Sequence, residues 1–143
     1  MLVTNAPDPA RAKVLPIDVD YWREDQASFR LEQKYGTTVV VAAGEVDLYT
    51  SPGLHEALVA AGSCTPRVIV DLRAVTFLDS TGLGVLAGAY TRARDQDGSV
   101  SLIGPTGLVR EVLHITRLDE AMPVYASLDD AIAGSDGVPG AGG

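Results

Sequence analysis

The chain has a single cysteine, Cys64, and only two histidines, His55 and His114, among its 143 residues. One cysteine cannot form an internal disulfide or a multi-cysteine metal site. The histidines are about sixty residues apart, and neither has a second ligand at metal-binding spacing. We therefore expect no metal ion and no other cofactor. We also expect Cys64, a lone thiol where a helix leads into a strand, to be chemically inert.

Basic residues and long apolar runs are also scarce. Eleven Lys and Arg against 19 Asp and Glu give a net charge of −8. Because nucleic-acid binding depends on Lys and Arg contacts to phosphates, we do not expect a nucleic-acid partner. An anionic membrane surface is disfavoured for the same reason. No apolar run approaches the ~20 residues that span a bilayer, and the amino terminus lacks the pattern of a signal peptide. The expected location is the cytoplasm.

The length of the chain fits one domain flanked by two unlike ends. Residues 1–27 contain three prolines and no hydrophobic period, which predicts an N-terminal extension that is partly docked or flexible. Residues 134–143 hold five glycines and a proline, which predicts a flexible tail. The folded domain is therefore expected to span residues 28–133.

Strand and helix patterns alternate along this domain. The runs Thr37–Ala43 and Val68–Leu72 predict strands that are buried on both faces. Ser51, as N-cap, and Pro52 open a first helix, and a second is expected over about 81–97. Further strands are predicted at 29–32, 100–103 and 123–125, and further helices from Pro105 and over 128–133. This alternation predicts an α/β domain with mostly parallel strands.

Ser80 lies between a predicted strand and a predicted helix, where a hydrolase exposes its nucleophile. The sharp turn of such a site needs glycines two residues before and two residues after the serine. Gly82 follows Ser80, but Leu78 precedes it. Asp79 would also place a negative charge where an oxyanion develops. A small serine hydrolase therefore stays a minor alternative, and we expect no catalytic residue.

Gly82, Gly84 and Ala87 spell G-x-G-x-x-A, a fingerprint of dinucleotide sites. That fingerprint should follow its strand directly, but six residues separate Leu72 from Asp79. No acidic residue ends the next predicted strand to bind a ribose hydroxyl. We interpret the glycines as allowing the start of the helix to pack tightly against the sheet.

Two interpretations of Asp79-Ser80-Thr81 remain open from the residues alone. All three residues favour helix N-termini, so the segment can be a capped helix start and nothing more. Alternatively, Ser80 is phosphorylated, which adds about −1.5 to −2 charges. Free backbone N–H groups and the helix dipole tolerate a negative charge at this place. A partner docked on that surface would then be expelled by repulsion and desolvation.

Three stretches carry a resemblance to a known family. Gly44–Asp47 (GEVD) is similar to that family's G-E-[LI]-D after its second strand. Val68–Leu72 followed by Val75–Gly84 (VTFLDSTGLG) is similar to its core strand and phosphorylation motif. Leu108–Leu118, before Pro123–Tyr125, is similar to its penultimate helix and last strand. Over about residues 28–133 the chain thus resembles a STAS domain of the bacterial anti-sigma factor antagonist type.

The resemblance implies a single STAS-like α/β domain. Its sheet would be a four- to five-stranded, mostly parallel mixed sheet with helices mainly on one face. It also implies a non-catalytic switch protein. The unphosphorylated form would bind a GHKL-type anti-sigma factor serine kinase and release its sigma factor. The kinase would then phosphorylate the protein, and a PP2C-type phosphatase would reset it.

The resemblance also implies roles for individual residues. By its position in the motif, Ser80 is the phosphorylation site, and the adjacent Thr81 is a second possible acceptor. Asp47 would contact the kinase or position the serine, and Asp79 would flank it. The expected binding face comprises Ser80, the first turn of the following helix and the loop Gly44–Thr50. Its partner-binding residues are Glu45, Asp47, Asp79, Thr81, Gly82, Leu83 and Gly84.

The same fold admits a different role. STAS-like domains also act as scaffold or adaptor subunits in stress-signalling assemblies and in lipid-transport complexes. Such roles need stable protein contacts but no turnover at Ser80. A partner that ignores phosphorylation would favour this alternative.

Overall fold

The computed structural model describes residues 19–23, as backbone, and residues 26–135. The remaining residues, including most of the predicted extension and most of the predicted tail, lie outside this description. The elements in chain order are β1 (Val19–Arg23), β2 (Ala27–Lys34), β3 (Thr37–Val46), α1 (Ser51–Cys64), β4 (Arg67–Leu78), α2 (Ser80–Asp95), β5 (Ser99–Ile103), α3 (Gly107–Ile115), α4 (Leu118–Ala121), β6 (Val124–Tyr125) and α5 (Leu128–Ser135).

The strands form one mixed sheet in the order β1-β2-β3-β4-β5-β6. The pairs β1/β2 and β2/β3 are antiparallel, and the three pairs from β3 to β6 are parallel. The predicted α/β class with a mostly parallel mixed sheet is confirmed. The sheet has six strands rather than four to five, because β1 pairs with β2. Strand β1 comes from the segment that we assigned to the extension.

Two apolar cores lie on opposite faces of the sheet, because successive residues of a strand point to opposite sides. The larger core packs Val40, Val70 and Leu102 against helices α1, α2 and α3. The smaller core packs their strand neighbours Val39, Ile69 and Ile103 against α5. Helices therefore lie mainly on one face, as predicted.

Strand β4 is longer than the sequence pattern predicted. The run Val68–Leu72 is a strand, but the strand continues without a loop to Leu78. It stays paired with β3 as far as Val46, through two irregularities in register. The exposed pair 73–74 interrupts the buried run, which is why hydrophobic pattern alone ended the strand too early.

This longer strand removes one argument against a dinucleotide site. The six-residue separation between strand and glycine motif does not exist, because only Asp79 stands between β4 and α2. The other argument stands, since the sequence after Ile103 is Gly-Pro-Thr-Gly and contains no acid for a ribose hydroxyl.

Two helix starts also differ from the prediction. Thr50, not Ser51, is the N-cap of α1, and Ser51 is the first helical residue. The Thr50 hydroxyl forms no cap bond, because it donates to the carbonyl oxygen of Glu45. Helix α3 begins at Gly107, behind Thr106 as N-cap, and not at the predicted proline.

Candidate partner-binding site

The two motifs meet at one edge of the sheet, where β3 and β4 end side by side. Val46, the last residue of β3, pairs with Leu78, the last residue of β4. Asp47 and Asp79 follow directly on these parallel strands, so both acids leave the sheet at the same edge. The N–H of Asp79 donates to the carbonyl oxygen of Val46 at 3.1 Å, which joins the two connections.

Asp79 is the N-cap of helix α2. Its Oδ1 accepts hydrogen bonds from the backbone N–H of Thr81 at 2.9 Å and of Gly82 at 3.1 Å, and from the Thr81 hydroxyl. The Thr81 hydroxyl is the main cause that lowers the pKa of Asp79, and the N–H groups of Gly82, Thr81 and Leu48 act in the same direction. Asp79 therefore stays charged at neutral pH, where the helix dipole also favours an anion.

Ser80 is the first residue of α2, and its side chain is exposed. Its hydroxyl makes no hydrogen bond to any other residue that the structure describes. The neighbouring hydroxyl of Thr81 is half-buried and is held by Asp79. Of the two adjacent acceptor candidates, only Ser80 thus presents a free hydroxyl to solvent.

Asp47 organises the other connection as a tight turn. Its Oδ1 accepts hydrogen bonds from the N–H of Tyr49 at 2.9 Å and of Thr50 at 3.1 Å. Thr50 is only 3% exposed. Its hydroxyl accepts a hydrogen bond from the N–H of Asp47 and donates one to the carbonyl of Glu45. This turn leaves the side chains of Leu48 and Tyr49 61% and 81% exposed.

Gly44 anchors this turn to the start of strand β2. Its φ is +94°, a conformation that side chains rarely adopt, and a Cβ there would overlap the carbonyl oxygen of Gln26. The N–H of Glu45 donates to the same carbonyl at 2.8 Å. Glu45 itself is exposed at the edge.

The two glycines of the motif, Gly82 and Gly84, differ in how closely other residues pack against them. A Cβ on Gly82 would come within 2.5 Å of Leu78 Cδ1 and 2.9 Å of Val46 Cγ1. The first turn of α2 therefore packs directly on the ends of β3 and β4, as the sequence interpretation expected. Gly84 is exposed with open space around it, so tight packing was the wrong interpretation at that position.

The structure thus brings the residues predicted to bind a partner to one place. All belong to the edge where β3 and β4 end or to the first turn of α2, namely Glu45, Asp47, Asp79, Ser80, Thr81, Gly82, Leu83 and Gly84. Most are exposed or half-buried, whereas Gly82 is buried. Their use by a partner remains a prediction.

The sequence placed the loop over residues 44–50 on the expected binding face but singled out none of the three large apolar side chains at this edge. Leu48 and Tyr49 are exposed in the turn, and Phe77, which pairs with Glu45 in the sheet, is 43% exposed. We call Leu48, Tyr49 and Phe77 the apolar edge residues. Exposed large apolar side chains around a polar site are typical of protein-binding surfaces. Two adjacent large apolar residues in a connection beside an aspartate were the available signal.

The described residues show no arrangement for hydrolysis or metal binding beside Ser80. A serine nucleophile needs a base within hydrogen-bond reach. Among the described residues, no histidine is hydrogen-bonded to Ser80: His55 is exposed on α1, and Nδ1 of His114 lies 3.1 Å from Oδ2 of Asp119. Residues 19–23 and 26–135 include no group of three or more His, Cys, Asp or Glu placed to hold a metal ion. Within the same residues, no helix is both long and apolar enough to cross a bilayer.

Cys64, the last residue of α1, lies away from this edge. Burial raises the pKa of its thiol, and a side-chain hydrogen bond with Gln33 opposes this to a smaller extent. A raised pKa leaves less of the reactive thiolate at neutral pH, which is the direction expected for an inert cysteine.

Comparisons with known proteins converge on one family. The model of the STAS domain matches residues 28–131. The anti-sigma-F factor antagonist RsfB of Mycobacterium tuberculosis is 30% identical over 114 residues, covering 79% of this chain and 93% of that protein. The anti-sigma-B factor antagonist of Bacillus subtilis is 29% identical over 102 residues, 71% of this chain and 94% of its own. A crystal structure of an anti-sigma factor antagonist from Mycobacterium paratuberculosis superposes with a TM-score of 0.71 at 33% identity. That superposition covers 80% of this chain and 98% of that one.

Proposed function

Because the chain belongs to the STAS domain family, we propose that it acts as an anti-sigma factor antagonist. In its unphosphorylated form it binds an anti-sigma factor, which then releases its sigma factor. Relatives that bear this name and align over most of both chains support the proposal, and none of them is named as a hydrolase. The switching unit is the predicted domain over residues 28–133, to which the predicted extension over residues 1–27 adds the edge strand β1. Helix α5 continues to Ser135, two residues into the predicted tail over residues 134–143.

The switch is phosphorylation of Ser80 by a GHKL-type anti-sigma factor kinase. The Ser80 oxygen attacks the γ-phosphorus of ATP, ADP leaves, and the hydroxyl proton is released. The observation that carries this step is the contrast between two neighbouring hydroxyls. The Ser80 hydroxyl is exposed and free among the described residues, whereas that of Thr81 is bound to Asp79. A PP2C-type phosphatase hydrolyses the phosphoserine and resets the protein.

Phosphorylation turns the edge from a docking surface into a repulsive one. Before the reaction, the apolar edge residues can be buried by a partner, with Glu45 and Asp47 at the rim. A phosphate on Ser80 adds about −1.5 to −2 charges beside Asp79, whose carboxylate is already charged. The start of α2 tolerates the phosphate because the helix dipole favours negative charge at this end. Bringing two more charges into a dry interface is costly, so the partner leaves.

The test uses the full-length protein and its cognate anti-sigma kinase, captured from native lysate on immobilised protein without ATP. The partner is identified by mass spectrometry and then purified. We compare wild type with three variants, Ser80→Ala, Ser80→Asp and Ser80→Asn. The asparagine has nearly the shape of the aspartate but carries no charge. Wild type should release the partner after ATP addition while gaining the mass of one phosphate at Ser80. Ser80→Ala should bind equally well and stay bound with ATP.

Ser80→Asp should bind at least about tenfold more weakly than Ser80→Asn, because only the former adds charge.

Two outcomes would contradict the proposal. Equal binding by Ser80→Asp and Ser80→Asn would remove the charge mechanism. A partner that stays bound with ATP, while the protein keeps its unmodified mass, would favour the scaffold or adaptor role and leave Ser80 as the first residue of a capped helix.

A further inference from the structure

A small cavity lies at the end of the sheet opposite to Ser80. It is held between the carboxyl-terminal halves of α1 and α2 and the amino-terminal ends of β4 and β5, and its volume is about 170 Å³. Leu58, Val68 and Val100, all buried, form its apolar floor. The side chain of Val59, 42% exposed, forms part of the rim.

One residue of the lining is an arginine with a guanidinium nitrogen that has no acceptor among residues 19–23 and 26–135. This residue is Arg92 of α2, and its Nη2 is buried with no hydrogen-bond partner among the described residues. Two other arginines of the domain have contacts of their own: Arg73 forms a bidentate pair with Asp71, and the guanidinium of Arg94 lies 5.6 Å from the ring centroid of Tyr90. A buried guanidinium nitrogen without an acceptor is costly, so an acceptor supplied from outside would stabilise this site.

The other polar groups at the cavity are mostly occupied. The hydroxyl of Ser63 donates to the carbonyl of Val59, and that of Thr65 donates to the carbonyl of Arg67. The main donors left for a ligand are therefore the guanidinium of Arg92 and the side chain of Gln96. A ligand that fits must present one small anion to Arg92 and an apolar body to the floor.

Size and chemistry together define the ligand. An apolar cavity of about 150 Å³ takes a molecule as large as benzene, whereas sites for larger organic ligands are typically about 300–1,000 Å³. A planar carboxylate matches the fork of a guanidinium. We propose that this cavity binds a short apolar carboxylate, either branched-chain or aromatic, whose apolar part is no larger than about a benzene ring. Binding requires the outer part of the Arg92 side chain to rotate, because its unpaired nitrogen is closed off from the cavity in this structure.

The site is separate from the switch. It belongs to the second half of α2 and to the amino-terminal edge of β4 and β5, whereas Ser80 belongs to the opposite edge. The proposal therefore goes beyond the antagonist function, and neither depends on the other.

Titration of the full-length, ¹⁵N-labelled protein with benzoate and with isovalerate tests the proposal by NMR. The neutral amides benzamide and isovaleramide serve as matched controls. We expect saturable shifts confined to residues near 58–68 and 89–100, with a dissociation constant of about 1 mM for so small a ligand. The amides should bind at least about tenfold more weakly, because they lack the charge that Arg92 recognises.

Two pairs of variants locate the anion. Arg92→Gln should abolish the shifts, while Arg94→Gln, on the same helix but stacked outside the cavity, should leave them unchanged. At the rim, Val59→Asp should weaken binding severalfold against Val59→Asn, and this pair stays informative if Arg92→Gln fails to fold. Unsaturable shifts, equal binding of acids and amides, or full binding by Arg92→Gln would each overturn the proposal.

Discussion

Two connections at the same edge of the sheet use an aspartate in different ways. After β4, Asp79 alone links strand to helix, and its carboxylate caps α2 directly. After β3, four residues link strand to helix, and Asp47 instead folds the backbone into a turn. The same residue type at equivalent strand ends therefore produces a rigid helix start in one case and an exposed apolar turn in the other.

The difference comes from the length of the connection and from Thr50. The hydroxyl of Thr50 already forms its hydrogen bonds inside the turn, so the N-terminus of α1 has no side-chain cap. The N-terminus of α2, in contrast, is capped by the side chain of the residue that directly precedes the helix. The short connection fixes Ser80 at the helix start, and the long one places Leu48 and Tyr49 in solvent. The two connections together place an exposed hydroxyl and exposed apolar side chains at one edge of the sheet.

Gly44→Ala should lower the free energy of unfolding most, because Gly44 packs the connection between β3 and α1 against the start of β2. The new Cβ would overlap the carbonyl of Gln26 in a backbone with φ of +94°. We expect a loss of about 3 kcal/mol in the free energy of unfolding. Gly36→Ala is the matched control, since Gly36 also has a positive φ, of +78°, but open space around it. Its expected loss is about 1 kcal/mol. Equal losses in urea unfolding would show that the clash has no role.

Asp79→Ala and Asp47→Ala compare the two connections directly. Asp79→Ala removes a helix cap and a charge that the helix dipole favours, which should cost about 1–2 kcal/mol. Asp47→Ala removes bonds in a turn that is open to solvent, which should cost about 0.5–1 kcal/mol. Urea unfolding at neutral pH measures both. A larger loss for Asp47→Ala would mean that the turn, and not the cap, holds this edge together.

The charge of Asp79 should appear as a small pH dependence of stability. Its pKa in the folded state lies below the ordinary value, chiefly because of the Thr81 hydroxyl. The stabilisation is therefore complete above the ordinary carboxyl pKa of about 3.9 and is lost as pH falls through the lower, folded pKa. Asp79→Asn keeps the shape and one acceptor oxygen, so it isolates the charge. The difference in urea midpoint between wild type and this variant should be constant from pH 7 to 5 and vanish in stronger acid. A constant difference down to pH 2 would assign the effect to shape alone.

Much of the fold followed from local pattern. The β-branched run of β3 and the apolar runs of β4 and β5 predicted their strands, because buried parallel strands leave no polar face to mask the signal. The second half of β4 did not follow, since its pairing with β3 is irregular and exposed residues interrupt the apolar run. Strand β1 was also missed. It pairs at the edge of the sheet, and prolines earlier in the same segment obscured it.

The candidate site was predicted through its motif residues and the loop that carries Asp47, but its large apolar side chains were not singled out. Ser80, Asp79 and Asp47 stand in recognisable motifs, and helix-capping chemistry is local in sequence. Phe77 was missed because its exposure depends on which face of β4 the helices cover. Thr81 was the second candidate acceptor, and the structure adds that its hydroxyl donates to Asp79. Phosphorylation of Ser80 stays a prediction.

The sequence by itself determined the α/β class, the family resemblance and the two acidic motifs, because these depend on residue type and on short-range spacing. Only the tertiary structure decided that the motifs share one edge and that a cavity lined by Arg92 lies at the opposite end. It also decided that, among the residues it describes, Thr81 has its hydroxyl bonded to Asp79 while Ser80 has a free one. The physical reason is that pairing of β3 with β4, and packing of α1 against α2, join residues that are far apart in the chain. Hydrophobic period predicts which faces are buried, but the partner of each face is set by long-range contacts.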